Sequence, residues 1–287
     1  MANWKGQSKG TPAGYKFFIV IIKNLGLRPA YLLLYPVVTY YYFFSKASNN
    51  AIKQYFNNLT QFHTSHIKTS RFKLYLNMGK VLIDKIALLS NSTSPPKVIH
   101  QGGDNLQNLV KNNSGGFLIS AHIGNWEVAG SLLKRLDAKI NIVLLDGETE
   151  AIKKVMNKAI GSRSFNIIPM KSDMSHVFKI HQAAQNKELI CIHGDRFLPG
   201  SKTIEASFLN KKASFPLGPF SMAAKLELPV AFVYGLKQET GFYNFYCSTP
   251  LVGQNSADTI FASYLASLQT MVSKYPHQWY NFYPFWS

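Results

Sequence analysis

Apolar residues recur along this chain with two different periods, and the change between them divides it. Near the amino end two apolar runs lie close together, Phe17 to Ile22 and Ala30 to Phe44. Lys23, Asn24, Gly26, Arg28 and Pro29 separate them. The second run, AYLLLYPVVTYYYFF, has no charge over 15 residues. As a helix it would be about 22 Å long, short of the roughly 30 Å hydrocarbon core of a bilayer. Pro36 lies inside it and is expected to kink or stop a helix. From 49 to 90 the spacing is that of amphipathic helices: Ile52, Tyr55, Phe56 and Leu59, then Phe72, Leu74, Tyr75, Met78, Leu82 and Ile86. Asn91 to Pro96 reads as a loop.

From Val98 onward short apolar runs alternate with helical patterns. Strands are expected at 117–121, 140–145, 166–170, 189–193, 204–209, 230–235 and 242–248. Helices are expected at 106–111, 126–136, 150–160, 174–185, 218–226 and 257–274. Such alternation predicts an α/β sheet with helices on both faces. No internal repeat appears.

Charge sharpens the reading of the amino end. The formal net charge is +17, and no Asp or Glu precedes Asp84, whereas eleven Lys or Arg do. A basic surface favours nucleic acid, anionic lipid headgroups or an acidic protein. A single span would have to join the two apolar runs across Gly26 and Pro29. A leader cleaved near Ser45–Ala47 would be unusually long. A buried core helix is the plain alternative. A re-entrant or interfacial anchor fits the short length, the aromatic residues and the cations on both sides. Residues 1–48 are thus expected to be a membrane-anchoring segment and 49–287 a catalytic domain.

Cys191 and Cys247 lie in apolar runs without metal-ligand spacing, and read as buried thiols in a reducing compartment. His63 and His66 have no third ligand, and His176 and His193 lack zinc spacing, so no metal is expected. No G-x-S-x-G follows an expected strand as a nucleophile elbow would, and there is no P-loop and no G-x-G-x-x-G after a strand. The aromatic tail around Trp279 and Trp286 could be taken for a base-stacking platform. Packing or a membrane interface is the better reading, and no nucleic acid is expected.

Chemistry centres on the end of the strand Phe117–Ala121. His122 follows it, Gly124 and Asn125 turn the chain, and a helix is expected from Trp126. The carboxyl end of a central strand is where α/β sheets hold ligands. A neutral His122 there suits general-base work, and a histidine that merely caps the helix is the rival reading. The N–H groups of Gly124 and Asn125 are expected to point outward and stabilise an oxyanion. Glu127 can approach His122 from the helix or hold a cation instead. Asp195, after the strand Leu189–His193, is the other candidate partner of His122. Arg163 and Arg196 are the cations expected to meet Glu127 or a substrate phosphate.

His122-Ile-Gly-Asn-Trp-Glu127 resembles the H-x(4)-D/E motif of glycerolipid acyltransferases, and its Gly-Asn-Trp-Glu form resembles the bacterial lipid A biosynthesis (lauroyl and myristoyl) acyltransferases. Gly103-Asp104-Asn105-Leu106, Gly194-Asp195-Arg196, Ala206-Ser207-Phe208-Leu209, Phe215-Pro216-Leu217-Gly218, Met222-Ala223-Ala224-Lys225, Pro276-His277-Gln278-Trp279-Tyr280 and Phe285-Trp286 are similar to its other blocks, in order. The resemblance implies a central mixed sheet flanked by helices and an N-terminal helical membrane anchor. It also implies acyl transfer from acyl carrier protein or coenzyme A, without a cofactor, to a hydroxyl of a membrane glycolipid such as a lipid A precursor. The implied place is the cytoplasmic face of the inner (plasma) membrane. His122 is then the base and Glu127 the motif acid, with Arg163, Asp195 and Arg196 supporting the site. Phe208-Leu209-Asn210 departs from the usual aromatic pair before a glycine, in a block expected to shape the acyl or acceptor pocket. Acyl carrier protein and anionic membrane lipid are both acidic, and a basic rim including Lys211 and Lys212 would steer them. Other acceptors are a mannosylated phosphoinositide or an amino-acid lipid. A basic membrane-bound binding protein without catalysis is the reading from a different class.

Overall fold

The computed structural model describes residues 11–63, 67–89, 96–101, 103–112, 114–125, 138–145, 165–170, 173 and 175–286. The chain opens with helices α1 (Pro12–Leu25), α2 (Leu27–Leu32) and α3 (Leu34–Phe44), then α4 (Lys46–Phe62) and α5 (Arg71–Leu89). Thr11 caps α1, its hydroxyl accepting from Gly14 N–H at 3.1 Å, and Gly26 ends it at φ 82°. Pro36 does not break the second apolar run. It falls in the first turn of α3, where a missing N–H costs nothing, and the break lies at Leu33 instead.

Helices α1, α2 and α3 all pack on α5. Their inward residues Ile19, Ile22, Ala30, Leu34 and Val38 join the same core as the sheet. Their outward residues, among them Phe17, Leu32, Tyr40, Phe43 and Phe44, are exposed. Among the described residues no helix is long and apolar enough to cross a membrane.

The remaining elements are β1 (Val98–Gln101), α6 (Gly103–Lys111), β2 (Gly116–Ser120), β3 (Ile140–Leu145), β4 (Asn166–Met170), α7 (Ser175–Gln185), β5 (Leu189–His193), β6 (Thr203–Phe208), β7 (Lys211–Pro216), α8 (Gly218–Leu226), β8 (Val230–Lys237), β9 (Tyr243–Cys247) and α9 (Ala257–Lys274). The expected helices at 126–136 and 150–160 lie outside the described residues. Seven strands form one sheet in the order β1-β9-β8-β2-β5-β3-β4. All neighbours are parallel except β8 and β9, so the sheet is mixed and the fold is α/β.

Strand β2 is wholly buried near the centre. Phe117 and Ile119 face the core that holds α5, α8 and α9, and Leu118 faces a smaller one with Leu106 and Leu109 of α6. Burial on both faces explains its unbroken apolar run.

Strands β6 and β7 form a separate antiparallel hairpin. Lys211 and Lys212, the candidate rim residues, are exposed and lie on a strand. They begin β7, and Lys212 pairs with Glu205 across the hairpin at 2.8 Å. The turn is made by Leu209 and Asn210 at φ 53° and 58°, without the glycine that usually marks such a turn. Phe208 and Leu209 are fully buried, and Phe208 stacks on Trp286. They fill core rather than line an open pocket. Trp279 and Trp286 are buried as well, so the aromatic tail packs against the domain.

Candidate active site

Parallel pairing of β2 with β5 sets Ser120 beside His193. The next residues of each strand therefore leave the sheet side by side. His122 and Asp195 meet there: His122 Nδ1 lies 2.8 Å from Asp195 Oδ1, and His122 N–H donates to Asp195 Oδ2 at 3.0 Å. Trp279 Nε1–H donates to the same Oδ2 at 3.1 Å. The Asp195 side chain is 1% exposed and that of His122 25%. Burial alone would raise the Asp195 pKa, but the charge and hydrogen bond of His122, then Arg196 and His193, hold it below the usual carboxylate range. An ionised Asp195 requires the proton on His122 Nδ1 and leaves Nε2 as an acceptor.

His193 faces that acceptor. Its Nδ1 is 3.3 Å from His122 Nε2, with ring centroids 4.2 Å apart. Burial, then the charge of His122, lower the His193 pKa to about 3. It is neutral near pH 7, and in the tautomer with its proton on Nδ1 it donates to a neutral His122. Sequence reading missed this role, because His193 was tested only for zinc spacing. Register was the available signal, since the ends of neighbouring parallel strands must adjoin.

The turn after His122 is held from two sides. Gly124 has φ +66°, and a Cβ there would lie 2.0 Å from Gly235 O. Only glycine fits this approach. Gly124 N–H donates to Gln278 O at 2.8 Å and Asn125 N–H to Gly235 O at 2.7 Å. The expectation that these amides point outward to an oxyanion is therefore corrected. Strand β8 and the segment 278–280 take them up, as buried N–H groups require. Tyr280 N–H donates to His122 O at 3.0 Å, so 278–280 pairs with the turn like a short strand. Gln278 grips Lys237, its amide bonding both backbone groups of that residue.

Beneath this turn lies the buried carboxylate of Asp84. It accepts from Lys237 Nζ and Tyr243 OH, each at 2.6 Å, and from Tyr31 OH of α2. Burial and the Asp84 charge raise both phenol pKa values, so both phenols remain donors. The side-chain amide of Asn125 reaches Tyr243 OH at 3.4 Å. Helix α2, helix α5 and strands β8 and β9 are thus joined under the histidine.

A match to the family model of the bacterial lipid A biosynthesis acyltransferases covers residues 72–287. The chain belongs to that family. It is an acyltransferase, and its acceptor is a lipid. Among curated proteins no match was found. The matched stretch runs from the first turn of α5 through every strand of the sheet.

For this acyltransferase, Glu127 and Arg163 lie outside the described residues. Arg196 is drawn to the tail: its Nη2 donates to Tyr280 O at 2.6 Å, and its guanidinium lies 5.5 Å from the Tyr283 ring centre. Cys191 and Cys247 are free thiols whose pKa values burial raises to about 12 each. His122, His193 and Asp195 offer ligand atoms within 4.8 Å of one another. Both Asp195 oxygens, however, already accept from His122 and Trp279. A three-ligand metal site would have to dismantle that arrangement, so the donor set fits a base and its orienter better.

Proposed function

We propose that the chain moves a fatty acyl group from an acyl carrier protein or coenzyme A thioester directly to a hydroxyl of a membrane glycolipid, such as a lipid A precursor. The hydrogen-bonded pair of His122 and Asp195 at the ends of two adjacent central strands carries this reading. The acceptor hydroxyl displaces His193 from His122 Nε2. As its oxygen attacks the thioester carbonyl, its proton passes to Nε2. Asp195 holds the imidazolium through Nδ1–H. The C–S bond then breaks, and the thiolate takes the proton back from Nε2. No acyl-enzyme is formed. General-base help of this kind is worth roughly 10² to 10⁴-fold. Glu127 keeps the role of motif acid that the family implies, and Arg163 supports the site by meeting Glu127 or a substrate phosphate.

The exposed side of α1–α3 supports contact with a bilayer. Phe17, Tyr40, Phe43 and Phe44 protrude there, and Lys16, Lys23, Arg28 and Lys46 flank them. Aromatic residues edged by cations suit an interface in which helices lie rather than span. The proposed place is the cytoplasmic face of the inner (plasma) membrane. A mannosylated phosphoinositide or an amino-acid lipid would present the same hydroxyl chemistry. The purely binding role is set aside by membership of an acyltransferase family.

The test is His122→Ala with purified acyl donor and acceptor. Transfer should vanish while melting temperature and vesicle binding hold. Full transfer by the variant would overturn the base assignment.

A further inference from the structure

A cavity of about 370 Å³ lies away from His122, where α3, α4 and the start of α5 meet. Two basic side chains, Lys53 and Arg71, line it beside Asn57 and the hydroxyls of Thr69 and Ser70. Tyr42 and Phe72 form an aromatic wall. The Arg71 guanidinium rests 4.7 Å from the Tyr42 ring centre and donates to its hydroxyl at 3.2 Å. That bond uses one of five donors in the fork.

Among the described residues no carboxylate pairs with these charges. The first carboxylate of the chain is Asp84, and it is taken by Lys237. A recess with two cations, several neutral donors and no counter-charge favours an anion. Its aromatic wall continues into the exposed apolar side: Phe72 meets Tyr35, and Tyr42 meets Phe43. Tyr35 and Phe43 are both exposed. The cavity thus joins charged residues to exposed aromatic ones.

We propose that this cavity binds the phosphodiester headgroup of an anionic glycerophospholipid, with the lipid's apolar part lying along Tyr35, Phe43 and their neighbours. The inference rests on the bilayer contact proposed above. Sedimentation with vesicles of neutral phosphatidylcholine tests that contact by itself. The headgroup site is tested by calorimetric titration of the full chain with monomeric dihexanoylphosphatidylglycerol. Saturable binding is expected, weakened about tenfold in Lys53→Gln and in Arg71→Gln, the loss of a charge-assisted contact. Lys23→Gln removes an equal charge elsewhere and should stay within about twofold of wild type. Lys53 is exposed, so its variant keeps the test valid should Arg71→Gln fail to fold. Transfer to a detergent-solubilised acceptor should be unchanged in Lys53→Gln. Equal weakening in Lys23→Gln would overturn the site. So would equal binding of inorganic phosphate or of dihexanoylphosphatidylcholine. A raised acceptor KM in Lys53→Gln would make the cavity part of the acceptor site and overturn it also.

Discussion

His193 Nδ1 sits 3.3 Å from His122 Nε2, the nitrogen that Asp195 leaves open. A neutral donor there occupies the lone pair that the proposed base would use. Substrate must compete with it. His193→Leu removes the competitor at similar volume. The acceptor KM should fall up to about fivefold, the worth of one neutral hydrogen bond, with kcat nearly unchanged. Steady-state kinetics in the acceptor decides. A fall of kcat beyond about tenfold would put His193 in the proton path instead.

Asp195→Asn should lower kcat by about 10² to 10⁴-fold. An amide keeps the shape but turns a donor toward His122 or loses its charge, so Nδ1–H is no longer held. Lys211→Ala, on the exposed hairpin, should change kcat less than twofold, in line with an ordinary surface substitution. Equal losses in the two variants would remove Asp195 from the site.

Gly124→Ala should destabilise by about 2–5 kcal/mol, from a left-handed backbone and a clash with Gly235 O. Urea unfolding midpoints measure it. A wild-type midpoint would show that the turn can move away from β8.

Asp84→Ala should cost about 3–5 kcal/mol, because it leaves the Lys237 ammonium without its buried partner. Asp84→Asn should cost less. Thermal melts of both variants give the order, and a reversed order would mean that charge is not what Lys237 needs.

Two histidines make stability fall in acid. The pKa of His193 is lowered from 6.5 to about 3, and that of His277 to about 4, each chiefly by burial. Below pH 6.5 the unfolded chain takes up protons that the folded one refuses. His193 therefore subtracts up to about 1.4 kcal/mol per pH unit until its folded pKa is reached, and the half-buried His277 subtracts less because solvent screens it. Denaturant midpoints from pH 7 to pH 4 should decline. His193→Gln and His277→Gln should each flatten the decline, and an unchanged slope would count against burial of the neutral ring.

The parts legible in sequence were those with a strong period or a complete motif. The helices 218–226 and 257–274 and the strands 140–145, 166–170 and 189–193 lie where apolar spacing sets them. Strand β7 was not legible. It begins with two lysines and ends in proline, and its turn uses Leu209 where glycine is usual. Side-chain partners were legible only as alternatives. The choice of Asp195 depends on register, and the loss of the Gly124 and Asn125 amides depends on Gln278 and Gly235, both far along the sequence. Local propensity carries no such distant information.

The segment 278–280 also sets a time order. Trp279 holds Asp195, and Gln278 and Tyr280 hold the turn of His122. A ribosome that has delivered β1 to β9 has not yet delivered Trp279. During synthesis the sheet can form while its histidine turn still lacks one wall. The nascent enzyme is therefore expected to remain idle until those residues emerge.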